Sequence, residues 1–246
     1  MRTTGNTIFL TGGTSGIGLE LARRFRDLGN TVIISGRRKD LLDKITAEDG
    51  IEGIELDVAD PASIRTAFEQ VTGTHDVNVL ITMAGIMQVE DLRDPAHLDA
   101  AEQTIDINLL GTIRTVALFT PYLLKQTDPV ILTVSSGLAS VPLAITPTYS
   151  ATKAAIHSYT QSLRIQLADT GIQVIEVVPP AVRTSLLNQE NDERAMPLDE
   201  YVDETVSLLQ QQPGADEILV DRVRFLRHAE RENRYDAVVT ALNLPH

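Results

Sequence analysis

The alternation of short apolar runs with helix-like segments constrains this chain more than any other feature. Six runs rich in Ile, Val and Leu lack polar alternation, which indicates strands buried on both faces of a sheet. These runs cover residues 7–11, 31–35, 53–57, 78–83, 130–135 and 172–178. Apolar residues at three- and four-residue spacing predict helices between them, over residues 16–28, 39–47, 61–71, 98–124 and 148–169.

The same alternation decides the fold class. Strands that alternate with helices form a parallel sheet whose right-handed crossovers place helices on both faces. A helical pattern at 198–209, an apolar run at 217–220 and a last helical pattern at 230–242 add a seventh strand and two helices. No linker rich in Gly, Pro or Ser interrupts the alternation. We therefore predict an α/β fold: one doubly wound domain over residues 1–246 with a parallel seven-stranded sheet.

Composition excludes several classes of function. The 246 residues include no cysteine, which excludes disulfides, thiolate metal sites and a cysteine nucleophile. A formal net charge of −13 disfavours binding to nucleic acid or to an anionic membrane. No stretch reaches the roughly 18–20 apolar residues that cross a bilayer, and the N-terminus does not resemble a secretory signal, so we expect a cytoplasmic protein. No metal is predicted, because no ligand spacing relates the histidines, which are His75, His97, His157, His228 and His246.

A glycine-rich turn separates the first predicted strand from the first predicted helix. Residues 11–18 read Thr-Gly-Gly-Thr-Ser-Gly-Ile-Gly. Glycines at this place let the backbone approach a pyrophosphate, whose charge the helix N-terminus stabilises. The spacing differs from the commonest dinucleotide-binding pattern, and a plain tight turn is the alternative. The residues predicted to bind the cofactor here are Gly12, Thr14, Ser15, Gly16, Ile17 and Gly18.

The end of the second predicted strand indicates which dinucleotide binds. A fold that prefers NAD usually presents an acidic residue here to the ribose 2′-hydroxyl, whereas this chain presents Arg37 and Arg38. Guanidinium groups form charge-assisted bonds with a 2′-phosphate. The two arginines therefore predict NADP(H); the alternative is that they only form a solvated helix start.

Tyr149 and Lys153 lie four residues apart in a helical pattern, so their side chains share one face. An ammonium beside a phenol lowers the phenol pKa and suits it to proton transfer near neutral pH. Ser136 follows the fifth strand, where its hydroxyl can polarise a carbonyl. A Tyr-x-x-x-Lys spacing alone is usually structural, but its combination with Ser136 and the glycine-rich turn predicts a catalytic site.

Two loops are candidates for the substrate side of that site. Residues 180–197 are polar, follow the last central strand and form either a lid or an ordinary mobile excursion. Residues 138–145 are unusually apolar for a connection. They line an apolar pocket with Met87 and Leu186, or else they pack under the lid or against a partner subunit.

These motifs together resemble the classical short-chain dehydrogenase/reductase family over nearly the whole chain. The glycine-rich turn matches the family's Thr-Gly-x-x-x-Gly-x-Gly pattern, and Tyr149 and Lys153 match its catalytic pair. The end of the chain is similar to a subgroup associated with bacterial D-alanine–teichoic-acid operons. The resemblance implies a Rossmann-like fold, an NADP-dependent hydride transfer and a homodimer or homotetramer.

The resemblance also implies roles for residues outside these motifs. Asn108 matches the catalytic asparagine that completes a tetrad with Ser136, Tyr149 and Lys153, and that positions a water in a proton relay. The cofactor contacts implied in the same way are Asp57 and Val58 at the adenine, Ala84 and Gly85 after the fourth strand, Lys153 at the nicotinamide ribose, and Pro179, Val182 and Thr184 at the nicotinamide.

Two positions depart from the family pattern. Thr82 and Met83 stand where the family has two asparagines that tie the sheet together, and Pro180 stands where it has a glycine. Proline fixes φ and removes an amide donor at the nicotinamide end.

The sequence therefore predicts an NADP(H)-dependent oxidoreductase that interconverts a carbonyl and an alcohol, with Tyr149 as general acid/base. The expected substrate is a small or medium, fairly apolar molecule. Two alternatives remain open: an epimerase or dehydratase that uses the same residues, and a dinucleotide-binding regulator without turnover. An intact catalytic set favours an enzyme.

Overall fold

Seven parallel strands form the centre of the molecule, in the order β3-β2-β1-β4-β5-β6-β7. The computed structural model describes residues 1–244, so His246 and the last two positions of the predicted domain lie outside the described residues. The strands are β1 (Thr7–Thr11), β2 (Thr31–Gly36), β3 (Glu52–Glu55), β4 (Val79–Thr82), β5 (Val130–Val134), β6 (Gln173–Val177) and β7 (Glu217–Ile218). The predicted parallel seven-stranded sheet, and with it the single-domain Rossmann-like α/β fold, is confirmed.

Helices cover both faces of this sheet, as the alternation predicts. They are α1 (Gly16–Asp27), α2 (Lys39–Asp49), α3 (Pro61–Thr74), α4 (His97–Thr104), α5 (Gly111–Leu123), α6 (Pro147–Gln166), α7 (Leu198–Gln211), α8 (Arg224–Arg227) and α9 (Tyr235–Asn243). Within residues 1–244, no helix combines the length and the apolar character that a membrane crossing requires.

The five inner strands, β2, β1, β4, β5 and β6, supply side chains to two separate cores. Ile8 and Leu10 of β1 belong to the core under α1, α2 and α7, whereas Phe9 points to the core under α3, α5 and α6. Phe9 stacks on Phe119 of α5, with ring centroids 5.3 Å apart. Burial on both faces explains why the inner strands are rich in apolar residues, whereas the edge strand β3 reads Glu-Gly-Ile-Glu and exposes both glutamates.

Side-chain amides tie the amino-terminal edge of the sheet. Asn30 Oδ1 accepts hydrogen bonds from the backbone N–H and the side-chain amide of Asn6, each at 3.0 Å. Asn78 donates to Asn6 and accepts from the Thr7 N–H. These bonds join the starts of β1, β2 and β4.

At the opposite edge, the hydroxyl of a β1 residue binds the backbone that follows β4. Thr11 Oγ1 accepts from the N–H groups of Met83 and Ala84 at 3.1 and 3.3 Å. This contact lies where the family pattern has its two asparagines, so a hydroxyl on β1 ties the sheet at the site of that departure.

The predicted helix at 98–124 contains an irregular turn. The chain runs from α4 through a π-helical turn, Ile105–Leu110, directly into α5. Gly111 follows the turn, and a Cβ there would lie 2.9 Å from Val58. The close approach of this helix to the β3–α3 connection therefore depends on a glycine.

The last predicted helix begins later than expected. Residues 230–233 form turns, and α9 starts at Tyr235 rather than at residue 230. Asn233 adopts a left-handed φ of 55°, which interrupts any helix that passes through it. The apolar spacing in this segment was therefore an incomplete guide to its structure.

Candidate active site

A cleft of about 1460 Å³ opens at the carboxyl ends of the strands. The strand order reverses between β1 and β4, and a doubly wound sheet binds its ligands at such a switch point. Every predicted site residue except Asn108 lines this cleft: Gly12, Thr14, Ser15, Gly16, Ile17, Gly18, Arg37, Arg38, Asp57, Val58, Ala84, Gly85, Ser136, Tyr149, Lys153, Pro179, Val182 and Thr184.

Two glycines of the glycine-rich turn, Gly12 and Gly18, have no room for a side chain. A Cβ on Gly12 would lie 2.7 Å from the Ala84 Cα, and Gly12 has a φ of +75°. A Cβ on Gly18 would lie 2.2 Å from the carbonyl oxygen of Gly12. Ser15 precedes α1 but makes no side-chain capping bond, so its hydroxyl leaves the first amides of α1 uncapped. The turn therefore presents backbone N–H groups to the cleft, which suits an anion.

The two predicted arginines lie beside this turn. Arg37 and Arg38 are exposed and line the cleft at the end of β2. Arg38 Nη2 donates to Thr14 Oγ1 at 3.2 Å, so the guanidinium is linked to the glycine-rich turn. Asp57 lies across this end of the cleft, and its carboxylate accepts the Ala59 N–H at 3.0 Å.

Tyr149 and Lys153 are buried together at the centre of the cleft. Their exposed fractions are 7% and 5%. The Lys153 ammonium lies 5.5 Å from the centroid of the Tyr149 ring and donates to the Val134 carbonyl at 2.9 Å. The helix therefore brings the pair together as its spacing predicts.

The sequence predicts a lowered pKa for Tyr149, but its net pKa in this structure is raised. Burial raises the pKa of Tyr149 to about 12, and the Ser136 hydroxyl lowers it only in part. Burial also lowers the pKa of Lys153 to about 8, and the carboxylate of Glu176 partly offsets this. Desolvation dominates the pKa of both groups, because full burial disfavours the charged form of each by more than its neighbours favour that form.

Ser136 begins a short 3-10 turn at the end of β5. Its hydroxyl accepts the Leu138 N–H at 3.1 Å and lines the cleft near Tyr149. Glu90, which the sequence reasoning missed, is buried and accepts from both the N–H and the hydroxyl of Thr148, at 3.1 and 2.7 Å. This carboxylate fixes the first turn of α6, and with it the position of Tyr149.

The structure does not bring the Asn108 side chain to the cleft. Asn108 is fully buried, accepts the Ile86 N–H at 2.8 Å and donates to the Ile86 carbonyl at 2.9 Å. Its amide also approaches Thr152 Oγ1 at 3.4 Å. The π-helical turn directs Asn108 inward, where its side chain holds the β4–α4 connection and the start of α6 together.

Apolar side chains form the other end of the cleft. Of the predicted apolar loop, Leu138, Leu143, Ala144 and Ile145 line the cleft, as do Met87 and Leu186. Val141 of the same loop packs instead against Ala229 and Val238 near the end of the chain, a contact that neither predicted use of the loop included.

The chain terminus contributes a wall that the sequence reasoning missed. Residues 241–244 at the end of α9 line the cleft. Asn243 holds them in place, because it accepts the Ala144 N–H at 2.6 Å and donates to the Pro142 carbonyl at 3.1 Å. No local motif indicates this contact, since its partners lie about 100 residues apart in the chain.

The predicted lid is closed at its base. Val182 pairs with Met196 in a β-bridge. Met196 accepts a hydrogen bond from the Arg183 N–H and donates one to the Ala181 carbonyl, each at 2.9 Å. Between them, Arg183 Nε donates to the Asp192 carbonyl at 3.1 Å. Residues 184–189 line the cleft above the apolar end.

Potential metal ligands cluster on the far side of α6. Ligand-type atoms of His157, Glu176 and Glu217 lie within 4.8 Å of one another. The Arg227 guanidinium lies among them and donates to Glu217 at 2.7 Å and to His157 at 3.2 Å. An arginine thus supplies positive charge to this group.

Comparison with known proteins supports the resemblance. A family model described as short chain dehydrogenase matches residues 6–195. "Uncharacterized oxidoreductase DltE" of Bacillus subtilis strain 168 is 39% identical over 253 residues, which cover 99% of this chain and 98% of that protein.

Solved structures have the same fold. A short chain dehydrogenase from Burkholderia cenocepacia in complex with NADP is 24% identical, with a TM-score of 0.86 and full coverage of both chains. A 3-ketoacyl-(acyl-carrier-protein) reductase from Brucella melitensis complexed with NADH is 25% identical, with a TM-score of 0.77 over 87% of this chain and 93% of that chain.

Proposed function

Because this chain belongs to the short-chain dehydrogenase/reductase family of oxidoreductases, we propose that it is an NADP(H)-dependent enzyme that interconverts a carbonyl and an alcohol. One observation carries the proposal: Tyr149 and Lys153 are buried together, next to Ser136, where the glycine-rich end of the cleft meets its apolar end. A phenol, an ammonium and a hydroxyl at such a junction suit proton transfer to a carbonyl oxygen.

The residues of the cleft fit a dinucleotide. Gly12 and Gly18 let the turn pack against Ala84 and against itself, where any Cβ would collide. Within residues 1–244, Lys153 donates one hydrogen bond, to Val134, although an ammonium has three donors. The glycine-rich turn would hold the pyrophosphate, and Lys153 would bond the nicotinamide ribose, as the family resemblance implies. When bound, the cofactor supplies hydride to the carbonyl carbon or accepts it from the alcohol carbon.

Arg37 and Arg38 favour NADP(H) over NAD(H). Both guanidinium groups are exposed at the end of β2, and Arg38 already contacts Thr14 of the glycine-rich turn. Guanidinium groups suit the charge and geometry of a 2′-phosphate. Since the structural neighbours include complexes with NADP and with NADH, these arginines carry the choice of cofactor.

Tyr149 acts as the general acid in the direction of reduction. It donates its proton to the carbonyl oxygen, and the Lys153 ammonium favours the phenolate that remains. Ser136 holds the carbonyl oxygen by a hydrogen bond from its hydroxyl. In alcohol oxidation the same phenolate accepts the proton.

Asn108 supports these groups from behind. Its side chain fixes the backbone of Ile86, which lines the cleft, and contacts Thr152 on α6. We therefore assign Asn108 as a positioning residue, and the water relay implied by resemblance stays a prediction.

The substrate is a fairly apolar carbonyl compound or alcohol. Leu143, Ile145 and Leu186 supply the apolar surface, and the segment at 180–197 acts as the lid. Ile105 and Ile165 are exposed apolar residues on the two long helical segments, 98–124 and 148–169. Family members usually pair these helices between subunits, so the exposed side chains support a homodimer or homotetramer.

Turnover with a panel of ketones and aldehydes tests the proposal, followed by the absorbance of NADPH. Tyr149→Phe should lower kcat by about 1,000-fold, because general acid catalysis contributes roughly that much, and should leave the Kd for NADPH within twofold. Tight NADPH binding without turnover, and with no effect of Tyr149→Phe, favours the regulator. Turnover without net oxidation of NADPH favours the epimerase or dehydratase.

A further inference from the structure

Glu176 of β6 is a fully buried carboxylate that the proposed chemistry does not use. Within residues 1–244, its side chain is hydrogen-bonded to His157, whose Nδ1 lies 3.0 and 2.8 Å from the two carboxylate oxygens. Burial of a carboxylate costs several kcal/mol unless hydrogen bonds and an opposite charge compensate it. The role of Glu176 therefore depends on which positively charged group compensates its carboxylate.

His157 supplies a hydrogen bond rather than the charge. Arg227 Nη2 lies 3.2 Å from His157 Nε2. A guanidinium can only donate, so Nε2 accepts and the ring proton lies on Nδ1, facing Glu176. Arg227 itself is paired with Glu217 through bonds of 2.7 and 3.1 Å. The His157–Arg227 link therefore orients the Glu176 carboxylate but leaves most of its charge uncompensated.

Lys153 is the buried cation on the other side of Glu176. It lies one helical turn before His157 on the same face of α6. Its Nζ bonds the Val134 carbonyl, and the residue before Val134 on β5 pairs in register with Glu176. The helix and the sheet thus place the ammonium and the carboxylate near each other under α6, although the two groups form no direct ion pair.

The surrounding charges are few. The titratable and charged groups that face Glu176 from the elements packed against it are Lys153, His157 and Arg164 on α6, Asp216 and Glu217 at β7, and Arg227 on α8. Arg164 pairs with Asp216, as Arg227 does with Glu217. Among the described residues of this group, the pairing leaves Glu176 and Lys153 as the two buried ions that no arginine or other carboxylate neutralises.

We propose that Glu176 is a positioning residue of the active site, whose buried charge keeps Lys153 protonated at the pH at which Tyr149 must donate its proton. This inference rests on the proposed function. Burial lowers the pKa of Lys153 and Glu176 raises it, so loss of the carboxylate charge deprotonates Lys153 at lower pH. A neutral Lys153 no longer favours the phenolate of Tyr149.

The test compares Glu176→Gln with His157→Gln. Glu176→Gln removes the charge and retains an acceptor for His157, whereas His157→Gln retains the charge and offers an amide donor to it. The chain has four lysines, Lys39, Lys44, Lys125 and Lys153, and only Lys153 is buried. NMR of isotopically labelled lysine side chains therefore follows the Lys153 titration directly, without substrate.

We expect Glu176→Gln to lower the Lys153 midpoint by about 1 pH unit or more. The alkaline limb of the pH–rate profile for carbonyl reduction should move to lower pH by the same interval. The Kd for NADPH, measured at a pH below both midpoints, should stay within twofold of the value for the unmodified protein. His157→Gln should leave both the midpoint and the limb where they are in the unmodified protein. Should Glu176→Gln fail to fold, Glu176→Asp must move the midpoint in the same direction by less.

Equal midpoints in Glu176→Gln and the unmodified protein overturn the proposal, as does an equal shift in both variants. The midpoint requires no turnover, so it tests Glu176 even if no carbonyl substrate is found. Conversely, normal turnover with an unshifted midpoint rejects the role of Glu176 and leaves the proposed function intact.

Discussion

The two ends of the cleft are built in different ways. The glycine-rich end is shaped by backbone, where a Cβ on Gly18 would lie 2.2 Å from the Gly12 oxygen. The apolar end is shaped by side chains from separate loops and the chain terminus, including Ile145 and Leu244, which remain 49% and 54% exposed. A backbone-built site tolerates almost no substitution, whereas a side-chain-built site can change its shape one residue at a time.

Gly18→Ala tests the rigid end and should have the largest effect. The added methyl collides with the Gly12 carbonyl, and overpacking that costs about 3 kcal/mol lowers NADPH affinity by about 100-fold. Fluorescence titration with NADPH measures the Kd. Gly73→Ala is the matched control, because a Cβ there meets nothing within 4 Å and Gly73 lies in α3. If the two variants bind NADPH with equal affinity, the glycine-rich end is no more sensitive to substitution than an ordinary helix.

Lys153→Met tests the junction between the two ends. Burial lowers the pKa of Lys153 from 10.5 to about 8, so the unfolded state holds the proton more tightly and the folded state loses up to about 3 kcal/mol below pH 8. Allowing about 1 kcal/mol for the lost bond to Val134, the variant should gain about 2 kcal/mol in free energy of unfolding at pH 7. The gain should vanish as the pH rises from 8 to 10.5. A variant less stable than the unmodified protein at pH 7, in urea unfolding, contradicts this.

Arg37→Ala tests whether side chains set selectivity even at the backbone-built end. Loss of a charge-assisted bond to the 2′-phosphate should weaken NADPH binding by about 10- to 100-fold and NADH binding by little. Parallel titrations with the two cofactors give the ratio, and Arg38→Ala separates the two guanidinium groups. An equal loss for both cofactors removes the argument from the 2′-phosphate.

Asn243→Ala tests the adaptable end and should have the smallest effect. Its two bonds hold the chain terminus against the loop at Pro142 and Ala144. Loss of about 1 kcal/mol of such bonding should raise the KM for a carbonyl substrate by about fivefold. The Kd for NADPH should not change, because the contact lies at the other end. A change in the Kd instead of the KM would show that the two ends are coupled.

The difference between the ends also explains what the sequence could predict. The glycine-rich turn and the Tyr149–Lys153 pair follow from local spacing, and the apolar strands predict the sheet that carries them. Family membership and fold are confirmed, while the roles of the individual site residues stay predictions. Asn108 shows the limit of a motif, because its identity is right for the family but its side chain bonds Ile86 rather than facing the cleft.

Long-range partners left no local pattern. Glu90 and Thr148 are 58 residues apart, and Ala144 and Asn243 are 99 apart. The pKa of Tyr149 also depends on burial, which the spacing of Tyr149 and Lys153 does not report. Desolvation is a property of the whole fold, so the expected direction of that pKa was wrong even though the pair itself was found.

The bridge between Val182 and Met196 has a consequence for the diversification of this fold. The bridge holds the two ends of the intervening segment together, so the segment begins and ends at fixed positions. We expect that residues can be inserted, deleted or exchanged between Val182 and Met196 while the sheet and the Tyr149–Lys153 pair remain in place. Changes in this segment are therefore expected to alter the lining of the cleft between related proteins without disturbing the fold.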